Sequence, residues 1–196
     1  SGPPELLAVY NKPVPACNFA QTPCQAALGV MRANRLKPTD IRAIRVAASY
    51  AAVKYPGCDY EGPFRTRLQA KMSIQFSVAA AVRYGAVAET NYERLDDPEV
   101  MRLIGLMQVE DDTGFTQAFP AKQGSRVAID TVSGKTFDQT LPDVVPATEA
   151  EIRARFQASA GDTLGTERAA AIERFIDRLE EAGSAGDLPR IAAGPR

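Results

Sequence analysis

Apolar and polar positions along this chain follow two periods, and the switches between them predict its elements. From 41 to 49, Ile44, Val46 and Ala48 alternate with Arg45 and Ala47, the period of a strand with one buried face. Runs at 125–132 and 135–141 carry the clearest strand signal, and Ser133-Gly134 between them predicts a two-residue hairpin loop. Val109 begins a further strand-like run. Helical spacing sets in elsewhere. Ala27, Val30, Met31 and Asn34 share one side of a helix predicted over 22–35, broken by Lys37-Pro38-Thr39-Asp40. A short helical turn is expected over 91–95. Asp97-Pro98 then caps a helix to about 107 that buries Val100, Met101 and Ile104. Residues 50–66 and 114–124, with Pro56-Gly57, Gly62-Pro63, Pro120 and Gly124, read as irregular. A short apolar run at 6–10 reads as a strand or the end of an element.

One stretch contradicts itself. Residues 67–78 alternate as a strand would, whereas the alanine-rich continuation to Gly85 reads as a helix with a glycine stop. Beyond 146 the character is purely helical. Thr148-x-x-Glu151 is a capping box for a helix carrying Ile152 and Phe156. Thr166 is expected to cap a longer helix, closed by Gly183, whose Ile172, Phe175, Ile176 and Leu179 form one stripe. These elements predict an α+β unit over 1–146, a mostly antiparallel sheet flanked by helices, and a C-terminal helical tail over 147–196.

Composition narrows the chemistry. The 196 residues suffice for one domain with a core, and 45% hydrophobic with 24% charged residues is ordinary for a globular protein. A net charge of −1 offers no electrostatic handle for nucleic acid or an anionic membrane. No apolar run approaches the ~20 residues of a membrane span, and no signal-peptide pattern opens the chain. Cys17, Cys24 and Cys58 are odd in number and lack metal-type spacing, which points to a reducing, cytoplasmic compartment. Histidine is absent, which removes the commonest general base and metal ligand. Ser1-Gly2-Pro3 in place of methionine reads as a scar or an excised piece of a longer protein. No G-x-G-x-x-G or G-x-x-x-x-G-K-[ST] supports a nucleotide site.

The candidate chemistry gathers at 10–27, YNKPVPACNFAQTPCQAA. Pro13 and Pro15 forbid a helix over 12–16, and Thr22-Pro23 with Gln25 predicts an N-cap, first helical residue and capping box. Lys12 and Cys17 would then stand just before free helix N–H groups, a place suited to an anion.

The motifs KPVPAC, FAQTP and QAA in that stretch resemble the start of the second domain of the MmgE/PrpD family. That family includes 2-methylcitrate dehydratases, cis-aconitate decarboxylases and iminodisuccinate epimerases. QAKMSIQFSVAAAV at 69–82 resembles its A-K-x-S-x-x-[YF]-x-x-A-A-A segment, and NYERLDDPEV at 91–100 resembles its aromatic residue followed by an L-x-D-P-E-V helix start. The similarity runs from about residue 6 to residue 156, in family order. It favours dividing 67–84 into an extended part up to Met72, Ser73 as N-cap and a helix over 74–84.

By this resemblance the chain corresponds to an α+β lid that follows a large all-helical domain, with the tail returning to pack on that domain. The family acts without metal or organic cofactor on small di- and tricarboxylic acids, removing a proton beside a carboxylate or eliminating water or carbon dioxide. Members resemble homodimers, and their catalytic Asp and His pair belongs to the helical domain. Lys12 matches the lid's lysine. Cys17 stands where decarboxylases carry histidine, Phe19 where dehydratases do, and Phe76 where both carry tyrosine. These departures weigh against decarboxylation and citrate-type dehydration and leave room for an epimerase or another lyase.

Lys12 and Cys17 are therefore the candidate catalytic residues, and Gln21, Lys71, Ser73, Gln75 and Phe76 the candidate substrate-binding ones. Each has a plainer reading. Lys12 and the loop residues Arg65 and Arg67 would be solvated cations, Lys71 structural, Cys17 a small apolar filler, Thr22 and Ser73 caps, and Phe76 core. The partners implied are a small polycarboxylate and a helical domain, in the same enzyme or a second subunit. The rival expectation is a non-catalytic lid whose 172–179 stripe docks a partner.

Overall fold

In the computed structural model, the alternation at 41–49 becomes strand β1, Ile41–Ala48. Residues 9–86 and 88–194 are described, so most of the 6–10 run lies outside the described residues. The described chain divides into two compact units, one spanning Lys12–Pro146 and the other combining residues 9–11 with residues 147–194.

In the larger unit β1 pairs in parallel with β2 (Met107–Asp111) and antiparallel with β3 (Ser125–Thr131). β3 in turn pairs antiparallel with β4 (Thr136–Leu141), so the order is β2-β1-β3-β4 and the open sheet is mostly antiparallel. Register places Met107, Ile44, Ile129 and Phe137 across one face, with Val109, Val46, Val127 and Gln139 in the next row. The opposite face is charged. Asp130 accepts from Arg45 Nη1 and Nη2 at 2.6 and 3.1 Å and from Thr136 Oγ1 at 2.6 Å, and Arg126 donates to Asp138 at 3.0 Å. The Arg45 bonds, reinforced by Thr136, hold the Asp130 carboxyl at about 2. An antiparallel sheet with one apolar and one polar face covers only the apolar side with helices.

That cover is built on α1 (Gln21–Asn34) and α4 (Ile74–Tyr84). α1 ends at Arg35 in the left-handed region and packs Cys24, Ala27, Val30 and Met31 toward β3, β4 and α4. α4 starts where expected, with Ser73 Oγ accepting from Phe76 N at 2.9 Å, and Gly85 closes it at φ +71°. Its residues from Ile74 to Val82 are all buried, so it is the interior helix of the unit.

Several expectations are corrected. Residues 67–72 are not extended but form helix α3, Arg67–Met72. Thr66 accepts from Gln69 N and Gln69 Oε1 accepts from Thr66 N, a capping box that overrides the alternation, and Leu68 accordingly stays exposed. The region read as loop from 50 contains α2 (Tyr50–Lys54), capped by Ser49, and the irregular 114–124 region contains α6 (Thr113–Ala118), capped by Asp112. The turn near 91–95 is a 3-10 helix at Glu89–Tyr92. Helix α5 (Pro98–Ile104) ends earlier than expected because Met107 already belongs to β2. The β3–β4 connection, 132–135, has four residues rather than two: Thr131 N donates to Lys135 O at 2.8 Å, and Gly134 supplies the positive φ of 81°.

The smaller unit contains α7 (Glu149–Leu164), α8 (Thr166–Asp177) and α9 (Asp187–Ala193). The Thr148–Glu151 capping box forms. Thr166 is not a cap, since Gly165 occupies that position, and α8 is shorter than α7. Gly183 closes no helix, because α8 already stops at Asp177 and a further turn at Leu179–Glu181 follows.

The acidic block that resembled a family motif has a structural job. Asp97 Oδ1 accepts from Glu99 N and Val100 N at 2.9 and 3.1 Å, and its Oδ2 accepts from Tyr84 Oη at 2.9 Å. Asp97→Ala should lower stability by about 1–2 kcal/mol, whereas Asp97→Asn retains most of the cap. Urea unfolding midpoints test this, and an unshifted Asp97→Ala midpoint would contradict it.

Candidate active site

The proline-stiffened loop is folded by one side chain. Pro13 and Pro15 carry no N–H, so the loop is short of backbone donors, and Val14 O and Cys17 O each take one backbone bond, from Ala16 N and Ala20 N. Gln21, wholly buried at the start of α1, adds side-chain bonds to these. Its Nε2 donates to Val14 O, Ala16 O and Cys17 O at 2.9, 3.2 and 3.1 Å, and its Oε1 accepts from Val14 N at 3.0 Å. The expected T-x-x-Q capping box is absent. Thr22 Oγ1 donates instead to Gln123 O at 2.9 Å, and the Gln25 amide pairs with the backbone of Val145. Ordered helix begins earlier, with a 3-10 turn at Asn18–Ala20 leading into α1, and Pro23 sits in the first turn, where no donor is needed.

Cys17 lies at the seam between two motif blocks. Its N–H donates to Lys71 O at 2.8 Å, tying the first block to the second. Its Sγ stands 3.5 Å from Cys58 Sγ. The Cys58 thiol bonded to it, the N–H groups of Phe19 and Asn18 and the Lys12 charge favour its thiolate and outweigh burial, bringing it to about 6. Cys58 is pushed the other way, by that same bond and by its burial. Lys12 is exposed, and its Nζ donates to Ala16 O at 3.3 Å. Cys24 is buried in the core, and that burial raises its thiol well above the ordinary range.

The second block holds Cys58 in place. Ile74 N donates to Cys58 O at 2.8 Å, Ser73 Oγ donates to Tyr60 O at 2.6 Å, and Gln75 accepts from Tyr60 N at 3.1 Å while donating to Asp59 at 2.5 Å. Ser73 and Gln75 thus engage the 58–60 backbone. Phe76 is fully buried, stacked on Tyr92 at 5.7 Å and edge-on to Phe64 at 4.9 Å. Lys71 Nζ is 2.6 Å from Glu89 and lies over the Tyr92 ring at 5.4 Å. Arg67 pairs with Glu93 at 3.7 Å. Phe19 forms an aromatic cluster with Tyr55 and Phe119 at 5.5 and 5.7 Å.

The structure therefore brings Lys12, Cys17, Gln21 and the Lys71 backbone together, and sets Ser73, Gln75 and Phe76 behind them. Sequence reasoning missed Cys58, Asn18 and Gln123. Cys58 follows a Pro-Gly turn, a weak signal. Asn18 Nδ2 reaches Gln123 Oε1 at 2.7 Å across more than a hundred residues, which no local pattern reveals.

In the smaller unit, α7 and α8 enclose a groove of about 300 Å3 lined by Ile152, Phe156, Ile172 and Ile176 and rimmed by Glu149, Arg153, Glu173 and Asp177. Arg153 bridges all three of these acids at 2.7–2.8 Å.

Fold and site define an α+β domain whose proline-stiffened loop presents a lysine and a thiol, the thiol facing Cys58. The chain belongs to the MmgE/PrpD C-terminal domain family, whose profile matches residues 14–181. Lys12 stands just before the matched span. A comparison with curated proteins found no match.

Gln21→Leu keeps the volume but takes the Oε1 bond from Val14 N and the amide bonds from the carbonyls of Val14, Ala16 and Cys17. It should cost roughly 2 kcal/mol or more and speed alkylation of Cys17; equal stability and equal alkylation would contradict the clamp. Iodoacetamide reacts with thiolate, so labelling of Cys17 should rise with a midpoint near 6. In Cys58→Ala the midpoint should move up toward the ordinary cysteine value of about 8.5, and an unchanged profile would remove Cys58 as the cause.

Proposed function

We propose that this domain is the carboxylate-handling part of an enzyme acting on a small di- or tricarboxylate by a lyase or epimerase reaction. Lys12 binds a substrate carboxylate, and Cys17 passes a proton at the neighbouring carbon. Removing a proton beside a carboxylate builds negative charge on the oxygens, and a fixed ammonium lowers the energy of that state. A thiol whose pKa lies near neutrality exchanges protons readily in either direction. The observation that carries the reading is that one anchored loop bears both groups, Lys12 Nζ on Ala16 O at 3.3 Å and Cys17 Sγ 3.5 Å from Cys58 Sγ. Lys71 meets Cys17 through its backbone carbonyl, and its ammonium would exchange Glu89 for substrate. Gln21, Ser73, Gln75 and Phe76 enter as residues that position this patch. Phe19 and Phe76 offer no proton, which favours epimerisation or a lyase step other than decarboxylation or citrate-type dehydration.

The remaining proton-transfer groups are assigned to an all-helical domain, in the same enzyme or in a partner subunit. The helical tail supports that assignment. Ala169 is the buried residue of its helices, while Ile176 and Leu179 remain 48% and 46% exposed. Helices so poor in buried surface gain their stability by packing on something else. On its own, the chain is then inactive.

Loss of one charge-assisted contact is worth about 1.5–3 kcal/mol, so Lys12→Gln in the complete enzyme should lower kcat/KM by roughly ten- to a hundredfold. Lys12→Arg should retain more of it. Steady-state kinetics on a panel of di- and tricarboxylates measure this, and wild-type rates in Lys12→Gln would refute the assignment.

A further inference from the structure

Cys17 and Cys58 are 41 positions apart in sequence, yet their sulfurs stand 3.5 Å apart. Both flanks are pinned. The Cys17 backbone is bonded to Lys71 O and to Gln21, and the Cys58 carbonyl is bonded to the first residue of α4. A disulfide needs about 2.05 Å between sulfurs, so closing the gap asks for a shift of about 1.5 Å shared by two side chains. The two thiols are also unequal. Cys17 is half-buried and faces Lys12 and the N–H groups of Asn18 and Phe19, while Cys58 is fully buried. An accessible thiolate beside a protected thiol is the arrangement of an attacking and a resolving cysteine.

We propose that Cys17 and Cys58 form a reversible dithiol–disulfide pair oxidised by a small hydroperoxide. The Cys17 thiolate attacks the terminal peroxide oxygen and the O–O bond breaks. The leaving hydroxide or alkoxide takes up a proton and departs as water or an alcohol. Cys17 becomes a sulfenic acid, its sulfur having given up two electrons. Cys58 then loses its proton and its sulfur attacks that of Cys17. The S–O bond breaks, and the departing hydroxide leaves as water with the proton. In sum, two thiols and one hydroperoxide give one disulfide, one water and one alcohol or second water. A dithiol reductant reverses the product to two thiols. In the reading proposed above Cys17 moves the substrate proton, so the disulfide would silence the site; this consequence rests on that reading, whereas the sulfur chemistry does not.

The test treats the chain with hydrogen peroxide, blocks remaining thiols with iodoacetamide under denaturing conditions and maps peptides by mass spectrometry. The expected product is a Cys17–Cys58 linked peptide pair lighter by two hydrogens, with Cys24 alkylated as an internal control. Dithiothreitol restores all three thiols. In Cys58→Ser, Cys17 stops at the sulfenic acid, one oxygen heavier and captured by dimedone. Three results would overturn the proposal in the unaltered chain: Cys17 oxidised while Cys58 stays alkylatable, disulfides only between chains, or no oxidation at either residue. None of these readouts depends on catalysis, so a failed cross-link leaves the functional assignment standing, and inactivity leaves the cross-link standing.

Discussion

A primary amide sealed away from water must find partners for two N–H bonds and a carbonyl, and the geometry around Gln21 follows from that requirement. Leaving such groups unpaired would cost on the order of 1–3 kcal/mol each. The loop over 12–17 has the complementary problem, because its two prolines remove backbone donors while its carbonyls have room for further bonds. Each shortage resolves the other. With the loop thereby folded onto the first turn of α1, Cys17 N–H meets Lys71 O, and the segment bearing Lys12 is anchored beside α3 and α4. The chemistry assigned to Lys12 and Cys17 depends on this one arrangement.

The second requirement is a floor for the loop. α4 is buried on every side from Ile74 to Val82, which a helix tolerates only with small residues where neighbours come close, and Ala79, Ala80 and Ala81 provide them. Its N-terminal residues Ser73 and Gln75 bind the 58–60 backbone, so the interior helix also sets the position of Cys58. Polar residues in this region thus serve mainly to fix backbone, and the groups left to meet a ligand are few.

The sheet separates two kinds of cohesion. Its apolar rows are covered by α1 and α4, whereas Asp130, Arg45, Arg126 and Asp138 pair across strands on the other face. Paired charges there keep the face polar, and the Asp130 carboxyl is held at about 2, so this contribution to stability is full above the ordinary carboxylate range and is lost as pH falls from that range to about 2. The helical tail relies on a different device. Arg153 is shared among Glu149, Glu173 and Asp177, and exposed ion pairs of this kind add little stability compared with burial.

What the chain's pattern determined by itself was the set of elements whose signals are local. The strand at 41–48, the hairpin and the Thr148–Glu151 box rest on period-2 alternation or on a side chain bonding a backbone group three residues away, whereas the Ser73 cap of α4 was chosen through the family resemblance. The family and its α+β class were legible for the same reason, through short blocks with their own caps and turns. Local pattern misled at 67–72, where alternation concealed a Thr66–Gln69 box, and at Thr22 and Gln25, which bond Gln123 and Val145 rather than their own helix. Only the tertiary structure decided that Gln21 would fold the proline loop, that Lys71 would meet Cys17 through its backbone, and that Cys58 would face Cys17. Those contacts join residues far apart in sequence, and their energy comes from burying polar groups that must then be satisfied, a constraint that exists only once the core has formed.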